Sequence, residues 1–149
     1  MRLGRTPSGA LAVTFLLDAD LDRLRIPGRR RAGFVDGLWR HTCFEVFFAR
    51  KGSRAYREYN LAPSGEWASY AFSSYRNRRE GEVRKPRVRI RRRDDHLRLE
   101  TKIEAQGRLR IGLSAVIEEK NGTLSYWALR HPPVKPDFHH RRAFALELP

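Results

Sequence analysis

Apolar and polar residues alternate with a period of two along most of the chain. In the clearest case Leu11, Val13, Phe15 and Leu17 are spaced by Ala12, Thr14 and Leu16, which is the spacing of a β-strand with one buried face. Pro63-Ser64-Gly65, Asp94-Asp95 and Asn121-Gly122 supply turns between such runs. The pattern predicts strands over 11–17, 42–48, 56–61, 66–75, 87–91, 97–103, 109–117, 124–129 and 144–148. It also predicts a short strand or turn over 21–26 and a charged loop over 77–85.

About ten short strands with turns between them indicate an all-β fold, namely an antiparallel sandwich or jelly roll. The length of 149 residues suits one domain spanning 1–149, and a hydrophobic content of 40% is sufficient for a core. Apolar runs are too short for a membrane span, the N-terminus does not resemble a secretion signal, and the single cysteine suits a reducing compartment. We therefore expect a cytoplasmic protein.

The run 42–48 predicts a strand with two different faces. Phe44, Val46 and Phe48 fall on one face, and Glu45 falls on the other. If the strand extends back to Trp39, an indole and a carboxylate share that second face. Such a pair holds a sugar ring, because the indole packs on its C–H groups and the carboxylate binds its hydroxyls. The alternative is that Trp39 is a core residue and Glu45 is solvated or salt-bridged.

Trp127 is the candidate for a second stacking ring. The alternative, as for Trp39, is that it is a core residue. Glu45 and Glu58 are an alternative carboxylate pair for hydrolysis, but the sequence contains no catalytic motif that requires it. A non-catalytic domain is therefore favoured over an enzyme. The polar candidates around the aromatic rings are Arg40, His41, Glu58, Asn60, Arg130 and His131.

The sequence is compatible with two further binding chemistries. The net charge of +14 favours an acidic partner, and Arg87, Arg89 and Arg91 share one strand face that could bind nucleic acid. The alternative is a solvated edge strand in a protein rich in arginine because of its genome. Asp137 and His139 are weak candidates for a metal site, although no spacing typical of one occurs.

Several blocks of sequence resemble the bacterial DOMON-like proteins, which are related to family 9 carbohydrate-binding modules. The blocks are LWRHTCFE (38–45), YNLAPSGEWA (59–68), IGLSAVIE (111–118) and SYWAL (125–129) followed by KPDFH (135–139). The resemblance implies a β-sandwich of jelly-roll type that binds sugar or haem. It implies that Trp39 and Trp127 sandwich a sugar and that Glu45 binds its hydroxyls, with Leu124 where an amide is usual. For haem it leaves only a two-histidine site from His41, His131, His139 or His140.

The sequence thus predicts a non-catalytic domain that binds a carbohydrate or glycan-like small molecule. The predicted site consists of Trp39, Arg40, His41, Glu45, Asn60, Trp127 and Arg130.

Overall fold

The computed structural model describes residues 1–81 and 83–149, and it confirms the all-β fold. Every pairing between its strands is antiparallel, and no α-helix occurs in the described part of the chain. The strands are β1 (Arg2–Arg5), β2 (Leu11–Asp18), β3 (Cys43–Arg50), β4 (Tyr56–Leu61), β5 (Trp67–Ser74), β6 (Asn77–Arg79), β7 (Arg87–Arg92), β8 (His96–Ile103), β9 (Leu109–Glu118), β10 (Leu124–Ala128) and β11 (Leu146–Leu148).

The strands form two sheets that pack as a β-sandwich. One sheet has four strands in the order β1-β2-β8-β7. The other has seven, in the order β10-β9-β3-β4-β5-β6, with β11 also paired to β9. β10 pairs with the second half of β9 and β11 with its first three residues, so the two short strands share one edge of β9.

The main core lies between the two sheets, where the alternating apolar residues meet. Phe15 of β2 packs against Phe44 of β3, with ring centroids 5.1 Å apart. Val46 and Phe48 belong to the same cluster, whereas Phe47 belongs to a separate one. The predicted division of β3 into two faces is therefore confirmed.

The outer face of the seven-stranded sheet is partly covered by residues 136–144, which we call the covering segment. Phe144 of this segment packs on Phe47 and Tyr56. Gly112 of β9 allows the approach, because a Cβ there would lie 3.1 Å from the carbonyl oxygen of Ala143. β3 is therefore buried on both faces, which explains why it is almost continuously apolar.

Some predicted elements differ from the observed ones. Residues 21–26 contain a 3-10 helix, Leu21–Arg23. β11 is shorter than predicted because the backbone N–H groups of Phe144 and Ala145 bond back to the 3-10 helix Arg141–Ala143. The predicted loop 77–85 begins with β6, and Glu82 within it lies outside the described residues. β6 is an exposed edge strand of polar residues, so it carries no alternation to detect. Among the described residues, no helix has the length and apolar character needed to cross a membrane.

Candidate ligand-binding cavity

A cavity of about 540 Å³ opens on the outer face of the seven-stranded sheet, beside the covering segment. We call it the first cavity. Trp39, Tyr70, Tyr126 and Phe138 supply aromatic groups to its lining, and Glu45 and Glu58 supply carboxyl groups. This combination of aromatic walls with a few polar groups is typical of small-molecule sites.

Glu45 lies in a row of polar side chains across the sheet. Its partners in register are Ser114 on β9 and Asn60 on β4. The Ser114 hydroxyl donates a hydrogen bond to Glu45 Oε2 over 2.9 Å. Burial, and then the neighbouring charge of Glu58, raises the pKa of Glu45 from 4.5 to about 8, against the opposing effect of the Ser114 hydrogen bond. At neutral pH this carboxyl group is therefore mostly protonated.

Glu58 lies in the next row, between Phe47 and Tyr70. Asn60 Nδ2 donates a hydrogen bond to Glu58 Oε1 over 2.8 Å. Burial raises the pKa of Glu58 to about 7, against the opposing effects of the Asn60 hydrogen bond and of the charge of Arg76. Burial is therefore the largest cause that holds the pKa of both carboxyl groups above the usual range of a glutamate.

His139 of the covering segment connects Glu58 to Tyr56. The backbone N–H of Arg76 donates to the Tyr56 hydroxyl oxygen over 3.1 Å, and the same hydroxyl group is hydrogen-bonded to His139 Nδ1 over 2.8 Å. On the opposite side of the ring, His139 Nε2 lies 3.5 Å from Glu58 Oε2. Burial, and then the charge of Arg76, lowers the pKa of His139 to about 4. The imidazole is therefore neutral at physiological pH, and its contact with Glu58 is not an ion pair.

Two arginines at the rim are held by acidic and aromatic partners. Arg76 donates to Asp137 Oδ1 over 2.9 Å, and the hydroxyl of Tyr75 donates to the other oxygen of Asp137 over 2.6 Å. The Arg78 guanidinium lies 4.2 Å from the centre of the Tyr70 ring. These contacts fix the rim and tie the covering segment to the β5–β6 turn.

Trp39 reaches the cavity from a turn and not from a strand. The preceding Gly37 has a left-handed φ of 78°, which starts the 3-10 helix Leu38–Arg40. The Trp39 ring packs edge-on against Tyr70, with centroids 5.9 Å apart, and 38% of the residue remains exposed. Since β3 begins at Cys43, the extension of the strand back to Trp39 is wrong, yet Trp39 and Glu45 do line the same cavity.

The structure brings together part of the predicted site. Trp39, Arg40 and Glu45 line the first cavity, and the alternative partner Glu58 lines it as well. Asn60 is fully buried and acts through its hydrogen bond to Glu58.

Three other predicted residues lie elsewhere. Trp127 pairs with Ala115 on the sheet face that looks toward the four-stranded sheet, so Trp39 and Trp127 do not sandwich one ligand. The outward neighbour Tyr126 lines the cavity instead. His41 Nδ1 lies 2.8 Å from Glu118 Oε2, and Arg130 is exposed beyond β10, outside the described residues that line the cavity.

No protein-family model, curated protein or solved structure matches this chain. Sequence reasoning missed Tyr70, Arg76, Arg78, Tyr126 and Phe138 as lining residues. The alternation around Trp127 indicated that Tyr126 points to the opposite side, but not which side carries the cavity.

The weak metal candidates belong to the wall of this cavity. Asp137 is bonded to Tyr75 and Arg76, and His139 to Tyr56. Within residues 1–81 and 83–149, no group of three or more His, Cys, Asp or Glu side chains is placed to hold a metal ion.

The predicted nucleic-acid residues lie on the other sheet. Arg87, Arg89 and Arg91 are exposed on the edge strand β7. Their partners in register are Lys102, Glu100 and Arg98 on β8. This face of the four-stranded sheet is therefore strongly basic, and it is separate from the first cavity.

Proposed function

We propose that this chain is a non-catalytic domain that binds a carbohydrate or glycan-like small molecule in the first cavity. The observation that carries the proposal is the pair of buried carboxyl groups, Glu45 and Glu58, in a cavity that also exposes the ring of Trp39. A volume of about 540 Å³ lies within the usual range for small-molecule sites.

The protonation of the two carboxyl groups favours a ligand rich in hydroxyl groups. With a pKa of about 8, Glu45 is mostly a neutral acid at pH 7 and can both donate and accept hydrogen bonds. A hydroxyl group has the same dual capacity, whereas an ammonium group would need an ionised partner. The pair therefore suits a polyol better than a cation.

The exposed ring of Trp39 favours a ligand with an apolar face. Its edge-on contact with Tyr70 fixes the indole while leaving part of its surface open. Covering roughly 100 Å² of that surface with a sugar ring contributes about 2 kcal/mol, before the cost of ordering the ligand. The expected affinity is therefore modest, in the millimolar to micromolar range.

Titration of the full chain with mono- and oligosaccharides, followed by tryptophan fluorescence and calorimetry, tests the proposal. Trp39→Ala and Glu45→Ala are each expected to weaken binding about tenfold or more. Trp127→Ala is the matched control, since it removes an exposed indole from the other face and should leave the affinity unchanged. Absence of any saturable binding, or loss of binding in the control only, would refute the assignment. Recovery of the sugar unchanged after incubation distinguishes binding from hydrolysis.

A second candidate function is electrostatic binding of nucleic acid by the basic face of the four-stranded sheet. It is favoured by the clustering of Arg87, Arg89 and Arg91 with Arg98 and Lys102 around the lone cross-strand acid Glu100. Binding of a labelled oligonucleotide should weaken steeply between 50 and 200 mM salt, as phosphate contacts require. Replacement of Arg87, Arg89 and Arg91 by Gln should reduce both the affinity and the salt dependence. An affinity that these replacements leave intact would exclude this face.

A further inference from the structure

A second cavity of about 220 Å³ lies on the other side of His139 from Glu58. Three arginines line it: Arg54, Arg110 and Arg141. The walls between them are largely aromatic, formed by Tyr56, Tyr75 and Phe144. Among the described residues, no Asp or Glu lines this cavity, which distinguishes it from the first one.

The three arginines come from separate parts of the fold. Arg54 precedes β4, Arg110 lies in β9, and Arg141 starts the 3-10 helix of the covering segment. Their convergence is therefore produced by the tertiary structure and not by one basic stretch of sequence. Like charges that meet beside an apolar wall repel each other, and an anion between them removes that repulsion.

The guanidinium groups retain donors for such an anion. Arg110 Nη2 donates to the carbonyl oxygen of Phe144 over 3.3 Å, and Arg141 Nη2 donates to the carbonyl oxygen of Ser53. Each of these bonds uses one of the five N–H groups that a guanidinium carries. In residues 1–81 and 83–149, the side chain of Arg54 has no hydrogen-bond or ion-pair partner. The carboxylate that pairs in register with Arg110, Glu147, is already bonded to Lys51 over 3.0 Å.

We propose that the second cavity binds a tetrahedral oxyanion, a phosphate or sulfate group, through Arg54, Arg110 and Arg141. Planar guanidinium groups match the oxygens of such an anion, and the surrounding aromatic rings place an apolar wall beside it. The cavity is larger than the anion alone, so it accommodates a monoester whose carbon-bearing part packs on Tyr75 and Phe144. This inference does not depend on the proposed carbohydrate function.

Titration with inorganic phosphate and inorganic sulfate at low ionic strength, followed by calorimetry, is the first test. Arg54→Gln is expected to weaken binding at least tenfold, and Arg141→Gln to do the same. Arg2→Gln is the matched control, because it removes the same charge from an exposed position on the other sheet, away from the basic face of β7 and β8. Its expected effect is less than twofold. Equal losses in all three variants would show attraction by net charge only and would overturn the proposal, as would absence of binding.

A second arm identifies the form of the ligand and separates this proposal from the previous one. Phenyl phosphate that binds more tightly than inorganic phosphate supports an ester site, whereas equal affinities restrict the site to the free anion. If phosphate binds, Arg54→Gln abolishes that binding and no sugar binds, the oxyanion site is supported and the carbohydrate proposal is refuted. If sugar binds in a manner that depends on Trp39 and phosphate does not bind, the carbohydrate proposal is supported and the oxyanion site is refuted.

Discussion

Replacement of Glu45 by Gln tests the account of the buried carboxyl groups. Between pH 4.5 and about 8 the folded chain retains a proton on Glu45 that the unfolded chain has released. A raised pKa of this kind stabilises the fold below pH 4.5, and the stabilisation is lost as the pH rises toward 8. Gln keeps an oxygen that accepts the hydrogen bond from Ser114 but has no proton to lose. The variant should therefore gain stability relative to the wild type as the pH increases.

The size of this gain in stability follows from the pH range over which the folded chain holds a proton that the unfolded chain has released. A difference in proton binding of one is worth roughly 1.4 kcal/mol for each pH unit. From pH 5.5 to 8.5 the free energy of unfolding of Glu45→Gln should therefore rise by about 3 kcal/mol relative to the wild type. The raised pKa of Glu58 has the same effect on the free energy of unfolding, which decreases as the pH rises from 4.5 to about 7. His139 acts in the opposite direction, since its lowered pKa removes stability as the pH falls from 6.5 to about 4.

Urea unfolding at pH 5.5, 7 and 8.5, followed by tryptophan fluorescence, measures this difference, because Trp67 is buried in the core. Glu80→Gln is the control, since Glu80 is exposed and should show the same small effect at each pH. A difference between Glu45→Gln and the wild type that does not change with pH would refute the reasoning. It would mean that the Glu45 carboxyl group is ionised in the folded state.

Two further predictions concern the packing on either side of this site. Gly112→Ala should destabilise the fold by about 1–3 kcal/mol, because the new Cβ would lie 3.1 Å from the carbonyl oxygen of Ala143. Gly4→Ala is the control and should be nearly neutral in the same urea assay, because no atom lies within 4 Å of its Cβ. Equal effects of the two changes would contradict the close approach of the covering segment. The buried thiol of Cys43, whose pKa is raised by burial and then by Glu45, should react with a disulfide reagent only after unfolding, which absorbance of the released chromophore measures. Rapid reaction of the native protein would show that β3 opens readily.

The strands could be predicted from the sequence where one face is apolar and the other is not. β2 and β8 follow this rule, since their buried residues alternate with more exposed ones. β10 does not follow it, because Tyr126 and Trp127 are both large, aromatic and about half exposed. Alternation correctly separated the two residues, but hydrophobicity could not decide which of them lines the cavity. That choice is set by the pairing of β10 with β9.

The carboxyl groups of the site could be named from the sequence, but their surroundings could not. Glu45 could be identified as a candidate because it is a charged residue within an otherwise apolar strand. Arg76 and His139, by contrast, are 63 residues apart in the chain and meet only because the covering segment folds back over β4 and β5. Arg76 also has a left-handed φ of 54°, which is uncommon for a residue with a side chain and gave no signal in the sequence.

The position of His139 has a consequence for the thermodynamics of binding. Its imidazole is a wall of both the first and the second cavity, and it is the element through which the covering segment contacts Glu58. A ligand that shifts this ring in one cavity alters the shape of the other. Any resulting change in affinity must be reciprocal, so that each ligand alters the dissociation constant of the other by the same factor. Two neighbouring sites on one sheet would then form a single coupled binding unit, with one side chain as the coupling element.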